Sequence, residues 1–178
     1  MRLKDVCPVA EPIVPIPGIV DRAWRLAFWL GFRLALVWWR IRRPHHHGAM
    51  VAVWLDGRIL GVRQSYTDRL TWPGGGIDPG EDPTRAAQRE LHEELGLAVR
   101  AEDLTLIRKV TVDIDYRRDH ITLFELHLAA LPPIRLDPRE LTRAAFMRPQ
   151  EMLAMKTPPF VAPYLRDRAD RVAAGAVS

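Results

Sequence analysis

The sequence predicts an α/β domain, and three observations carry that reading. Residues 49–54 and 59–63 are apolar, β-branched segments on either side of Asp56-Gly57, a dipeptide suited to a two-residue hairpin turn. Residues 83–95 favour helix, with Asp82 as N-cap, Pro83 at the first helical position and Gly96 placed to end it in a left-handed turn. Residues 104–113 and 120–129 alternate apolar and polar, as two antiparallel strands do.

At 178 residues the chain is long enough for one domain with a full core and too short for two sizeable ones. The single cysteine, Cys7, rules out an intramolecular disulfide and suits a reducing, cytoplasmic compartment. The N-terminus lacks the charged, apolar and small-residue series of a secretory signal. The net charge of +4 is unevenly placed. Residues 1–47 hold eight Lys/Arg and three Asp/Glu, whereas the other 131 hold eighteen and nineteen. The basic character therefore belongs to the N-terminal extension.

That extension has two parts. Pro8, Pro12, Pro15 and Pro17 make residues 1–20 an extended, polyproline-like arm without packing of its own. Residues 21–47 follow as a helix and linker, the helix capped by Asp21 and stopped by Pro44. Four of the six tryptophans lie here: Trp24, Trp29, Trp38 and Trp39. At about 100° per residue, Arg22, Arg25, Arg33, Arg40 and Arg43 fall within an arc of roughly 80°, and most of the remaining circumference is apolar. This describes a helix peripheral to the inner face of a membrane, its guanidinium groups toward anionic lipid phosphates. Packing on the domain, or on a second copy as a homodimer, is the alternative. A span needs about 20 apolar residues, and Arg33 interrupts the apolar run here. His45, His46 and His47 read as an exposed linker, since adjacent residues rarely point at one metal ion.

The domain proper is expected over residues 48–157, with a C-terminal helix and tail over 158–178. Residues 64–71 form a polar loop whose neighbourhood supplies Arg63, Tyr66 and Arg69 as candidate substrate contacts. Trp72, before Pro73, is expected to pack. Between the two alternating strands, the loop over residues 113–119 leaves Arg117 and Arg118 free to meet phosphates. A strand over 143–147 and helices over 149–155 and 160–172 complete the chain, with a frayed end.

The chemistry gathers on the helix over 83–95. Glu90, Glu93 and Glu94 are spaced i, i+3 and i+4, so their carboxylates share one face, while Ala87, Leu91 and Leu95 share a neighbouring apolar one. Three like charges repel, and a solvated acidic face is their bland interpretation. A hard divalent cation reverses that balance, because it takes carboxylate oxygens and leaves positions open to phosphate.

Residues 75–97 resemble the signature of the Nudix hydrolases: Gly, five residues, Glu, seven residues, Arg-Glu, an aliphatic, any residue, Glu-Glu, any residue, Gly, an aliphatic. The match falls on Gly75, Glu81, Arg89, Glu90, Leu91, Glu93, Glu94, Gly96 and Leu97. The resemblance implies an α/β/α sandwich with a mixed sheet, and cleavage of a nucleoside diphosphate linked to a further moiety. It implies that Glu90, Glu93 and Glu94, helped by the Gly74 carbonyl, hold Mg²⁺ or Mn²⁺. Glu93 is then the first candidate base, a loop acid such as Asp137 or Glu140 the second, and Arg89 and Glu81 orient the loop and the ligand carboxylates. No added signature of coenzyme A, NADH or ADP-ribose enzymes accompanies it. The other class of function is a membrane-associated nucleotide-binding or sensor protein without turnover, against which the intact acidic triad counts. No segment suits a DNA-reading helix-turn-helix, and Cys7 lies too far outside the domain for the cysteine chemistry of an isoprenoid isomerase relative.

Overall fold

The computed structural model describes residues 12–173. The expectations for Cys7, for Pro8 and for the tail beyond residue 173 lie outside them. The first hairpin joins β1 (His45–Leu55) to β2 (Arg58–Gln64). Its turn residues Asp56 and Gly57 both have positive φ, as a two-residue loop matched to strand twist requires. Two short strands follow in the glycine-rich region, β3 (Leu70–Thr71) and β4 (Gly74–Gly76). The long pair is β5 (Thr105–Ile114) and β6 (Arg117–His127), and β7 spans Leu141–Met147. The helices are α1 (Ile19–Arg42), α2 (Pro83–Leu95), α3 (Pro149–Leu153) and α4 (Val161–Ala173).

β1 is the spine of the sheet. It runs parallel to β6 from His45↔Arg118 to Trp54↔His127, and its other edge is shared by β4 and β2, both antiparallel. β5 extends the sheet beyond β6, and β2 pairs antiparallel with both β3 and β7. The strand alternation sorts the core into two layers. Ala49, Val51, Val53 and Leu55 pack with Ala87, Leu91 and Leu95 of α2. Met50, Ala52 and Trp54 face the other way, toward Met152, Phe160, Tyr164 and Leu165. Helices thus cover both faces of a mixed sheet, the α/β/α sandwich expected. Trp72 is fully buried, its ring edge-on to Tyr164 at 4.8 Å between centroids, which is the packing role foreseen.

Several expectations need correction. The histidines are strand, not linker, because β6 offers a parallel ladder that reaches His45; the domain starts there rather than at residue 48. The segment after residue 157 is likewise part of the domain, since Phe160, Val161, Tyr164 and Leu165 are core. The arm is extended but not free of packing: Ile13 exchanges backbone hydrogen bonds with Ala144 at 2.7 and 2.9 Å, covering the edge of β7. Gly18, not Asp21, is the N-cap of α1, and the Asp21 carboxylate accepts the Gly18 N–H at 2.8 Å. Finally, the loop of residues 113–119 is a tight turn on Asp115 and Tyr116, both left-handed, so Arg117 and Arg118 belong to β6.

The same turn helps to dock α1. Arg69 grips the Asp115 carboxylate through two 2.7 Å hydrogen bonds, and Arg40 of α1 donates to the Tyr116 hydroxyl at 3.2 Å. At its other end α1 is held by Arg25, which donates to the carbonyls of Pro138 and Leu141 at 2.7 and 3.1 Å. The arginine stripe is therefore split, since the carbonyls of Pro138 and Leu141 and the Tyr116 side chain draw two of its members inward. No residue of α1 is buried, and Leu26, Leu30, Leu34, Val37 and Ile41 are exposed along it.

Candidate active site

Helix α2 forms as its sequence dictates. Asp82 accepts the N–H groups of Thr84 and Arg85 at 2.8 and 3.3 Å, and Gly96, at φ 68°, closes the helix by donating to His92. That rigid frame presents its acidic face to the glycine strand β4. Glu94 is 2% exposed and accepts the Gly74 N–H at 2.9 Å. A glycine is obligatory at position 74 of this contact. Gly74 has φ 134°, and a Cβ there would stand 2.2 Å from the Ala49 carbonyl oxygen. A Cβ on Gly75 would meet the Glu90 carboxylate at 2.5 Å.

Arg89 organises the remaining acids. It holds Glu81 with two 3.1 Å hydrogen bonds and reaches Glu90 at 2.7 Å, Glu93 at 3.3 Å and the Gly76 carbonyl at 2.9 Å. Glu81 in turn accepts the Asp78 N–H at 3.0 Å, so this pair braces the loop ahead of α2. The Arg89 guanidinium lowers the Glu81 pKa. Burial raises Glu90 and raises Glu94 well above the usual carboxylate range, because each charge has lost more water than its partners replace. Glu93 keeps an exposed head. Among the described residues no three His, Cys, Asp or Glu side chains converge into a ready metal cage. Arg89 draws Glu90 and Glu93 aside while Glu94 turns to Gly74.

A cavity of about 380 Å³ opens beside this helix, with Gly74, Gly75, Gly76 and Glu140 at its acidic end. Glu140 is the loop acid brought to the site, and burial followed by the Asp137 charge raises its pKa. Asp137 is engaged instead by Arg139 at 2.6 Å, which lowers it. Tyr66 and Arg69, candidate substrate contacts in the sequence, line the cavity. Burial and the carboxylates of Glu94 and Glu140 push the Tyr66 hydroxyl well up. Arg63 is exposed on β2 and Arg118 lines a separate surface hollow with Arg43 and Asp113, so neither joins the cavity. Arg117 does join it, but not as a free cation. It pairs with Asp119 at 2.9 Å and its guanidinium lies 4.2 Å from the centre of the Trp39 ring.

Sequence reasoning missed Phe28, Phe32 and Trp39, which α1 contributes to the cavity wall, and His46 and Asp119 on its floor. Phe28 and Phe32 lie against Tyr66, at 6.4 and 5.2 Å between ring centroids. Asp119 had a signal in the alternation of β6, which puts it on the same face as Arg117 and Ile121. The aromatic residues of α1 had none, because nothing local says where that helix docks.

The class of structure is a mixed-sheet sandwich with an acid-faced helix packed against a glycine strand. The chain belongs to the Nudix family: the family's NUDIX domain model matches residues 44–167. It is 37% identical over 62 residues to an RNA pyrophosphohydrolase of Aeromonas hydrophila, a match covering 35% of this chain and 34% of that protein. It is 32% identical over 84 residues to the ADP compounds hydrolase NudE of Escherichia coli, covering 45% and 44%. The chain thus matches less than half the length of these curated relatives. The fold is shared with the crystal structure of a MutT Nudix hydrolase from Burkholderia pseudomallei, at TM-score 0.60 and 23% identity over 68% of this chain and 96% of that one.

Proposed function

We propose that the protein is a divalent-metal-dependent pyrophosphohydrolase acting on a nucleoside diphosphate derivative. The observation that supports it most is the packing of α2 on β4, which puts Glu90 and Glu94 against Gly75 and Gly74, two glycines that line the cavity. The donor set fits a hard cation. It is all oxygen, and the buried Glu90 and Glu94 carboxylates have too little positive charge of their own. Glu90, Glu93, Glu94 and the Gly74 carbonyl would hold Mg²⁺ or Mn²⁺, which when bound neutralises a diphosphate and acidifies a water.

The other roles follow from position. Glu93, the exposed member of the triad, takes the proton from the attacking water, and Glu140, which lines the cavity and feels the Glu93 charge, is the second candidate. Arg89 and Glu81 do not reach substrate; they fix the loop and the Glu90 carboxylate. Phosphate release from a panel of nucleotides, sugar nucleotides and dinucleoside polyphosphates, with Mg²⁺ or Mn²⁺, tests this reading. Turnover that falls about 10²–10⁴-fold in Glu93→Gln supports it, and the same loss in Glu140→Gln alone would move the base to the loop. Silence across the panel would leave a nucleotide-binding protein without turnover.

We further infer that α1 rests on an anionic membrane surface. Its outward face is an unbroken apolar strip through Leu26, Leu30, Leu34, Val37 and Ile41, and Arg22 and Arg33 lie along one border of it. Apolar bulk bordered by guanidinium groups is the arrangement that inserts shallowly while pairing with lipid phosphates. No helix among the described residues is long and apolar enough to cross a membrane.

A further inference from the structure

The three consecutive histidines of β1 do not act as a run. Strand alternation turns His45 and His47 to one face of the sheet and His46 to the other. The parallel register sets His120 of β6 beside His47, and its ring stacks on both neighbours, 5.3 Å between centroids to His45 and 4.9 Å to His47. His45 Nδ1 and His120 Nε2 are 3.0 Å apart, and the other nitrogen of His120 lies 3.1 Å from the Thr111 hydroxyl of β5. Three imidazoles from two strands thus meet in a surface hollow beside the loop of residues 77–81.

Imidazole is the side chain that borderline first-row metal ions favour, whereas Mg²⁺ keeps to oxygen. At a metal–nitrogen bond of about 2.0–2.1 Å, two ligands at right angles stand about 3.0 Å apart and two at the tetrahedral angle about 3.4 Å. The spacing of His45 and His120 is the first of these. It suits adjacent positions on a tetragonal ion such as Ni²⁺ or Cu²⁺ better than tetrahedral Zn²⁺. The pair lies at the surface, so small ring rotations can bring both lone pairs onto one ion. The outer contact fits as well. A ligating histidine donates its other N–H to an oxygen, which fixes tautomer and ring orientation. Thr111 is placed to accept the Nδ1 proton of His120 and so leaves Nε2 its lone pair.

We propose that His45 and His120 form a cross-strand chelate for a borderline divalent ion of the Ni²⁺ or Cu²⁺ kind, oriented by Thr111. Among the described residues no three His, Cys, Asp or Glu side chains converge, so water completes the sphere and His47 serves by stacking on His120. The site is separate from the acidic helix in both ligand chemistry and place. A bound ion ties the start of β1 to β6 and stabilises the folded chain.

Titration calorimetry of the full chain with NiCl₂, in excess Mg²⁺, tests this beside melting temperatures with and without Ni²⁺. One Ni²⁺ should bind per chain and raise the melting temperature. Thr111→Val is expected to weaken Ni²⁺ binding about 10-fold, the usual effect of losing an outer contact to a ligand. His45→Ala and His120→Ala should weaken it further and remove the melting shift, while His47→Ala keeps both. Melting temperatures without Ni²⁺ near that of the wild type show the variants folded. With Cu²⁺, electron paramagnetic resonance should show coupling to two nitrogens in the wild type. Should an alanine variant fail to fold, that spectrum and Thr111→Val decide the matter. Ni²⁺ binding lost in His47→Ala but kept in His120→Ala would run the chelate along β1 and overturn the proposal. So would a wild type that binds no Ni²⁺, or a Ni²⁺ shift that survives without His45 and His120.

Discussion

Glu90 and Gly75 lie so close that any side chain at position 75 would stand 2.5 Å from the Glu90 carboxylate. The contact fixes where the Glu90 carboxylate, a metal ligand on the proposed function, can be. Gly75→Ala should therefore swing the Glu90 head away while leaving the core untouched. We expect kcat to fall about 100-fold, the usual consequence of displacing a catalytic group by an ångström. Thermal unfolding should stay close to that of the wild type. Unchanged kinetics would mean that Glu90 does not need this position.

Glu94 joins chemistry to stability, and two substitutions separate them. In Glu94→Gln the amide oxygen can still accept the Gly74 N–H, and the buried charge is gone. Without metal this variant should be at least as stable as the wild type, because burial penalises the carboxylate. Mg²⁺ should raise the wild-type melting temperature and leave that of Glu94→Gln unmoved, with turnover lost. Glu94→Ala strands the Gly74 N–H and is expected to cost about 1–3 kcal/mol besides. Calorimetry of the three proteins with and without Mg²⁺ decides the matter. A metal shift that persists in Glu94→Gln would remove this residue from the ligand set.

How far the sequence carried can be judged from these same residues. The α2 helix was legible to the residue, since Asp82, Pro83 and Gly96 act through local backbone chemistry and the three glutamates through helical period. The hairpin at Asp56-Gly57 was equally local. Strand limits set by pairing were not. His45 became strand only because Arg118 lies beside it on β6, and Asp115-Tyr116 turned tightly because Arg69 and Arg40 hold it from outside the hairpin. The amphipathic character of α1 was plain, but its docking depends on Arg25 meeting carbonyls more than 110 residues away. The cavity wall from Phe28, Phe32 and Trp39 followed from that docking and could not be read earlier.

The helix cap makes a pH prediction. Hydrogen bonds from the Thr84 N–H, above all, lower the Asp82 pKa from its ordinary 3.8. A carboxylate depressed in the folded state adds stability that is full above its unfolded pKa and disappears as pH falls through the folded one. Asp82→Ala should thus lower the melting temperature by a few degrees at pH 7. The gap from the wild type should close as pH drops below 3.8. Melting curves across pH 2.5–7 test it, and a gap constant with pH would mean that the cap acts without its charge.

The outward face of α1 supplies the last prediction. Trp24, Trp29 and Trp38 are between 42% and 53% exposed, and only Trp39 is turned onto the domain. An aromatic and aliphatic strip of this kind is costly to leave in water, and the arginines bordering it are what the proposed anionic membrane surface would meet. Each such residue near an anionic surface is worth about 1 kcal/mol, so Arg22 and Arg33 together supply about 2 kcal/mol before any apolar insertion. Phosphatidylserine vesicles should co-sediment the protein, phosphatidylcholine vesicles much less, and added salt should release it. Arg22→Gln with Arg33→Gln should weaken the binding while sparing basal turnover, since neither residue lines the cavity. Replacing Leu30, Leu34 and Val37 by Ser should abolish binding even at low salt. If the wild type stays in the supernatant and elutes at twice its 20.3 kDa mass, with the Ser variant eluting as a monomer, the face is a subunit interface and the membrane assignment is wrong.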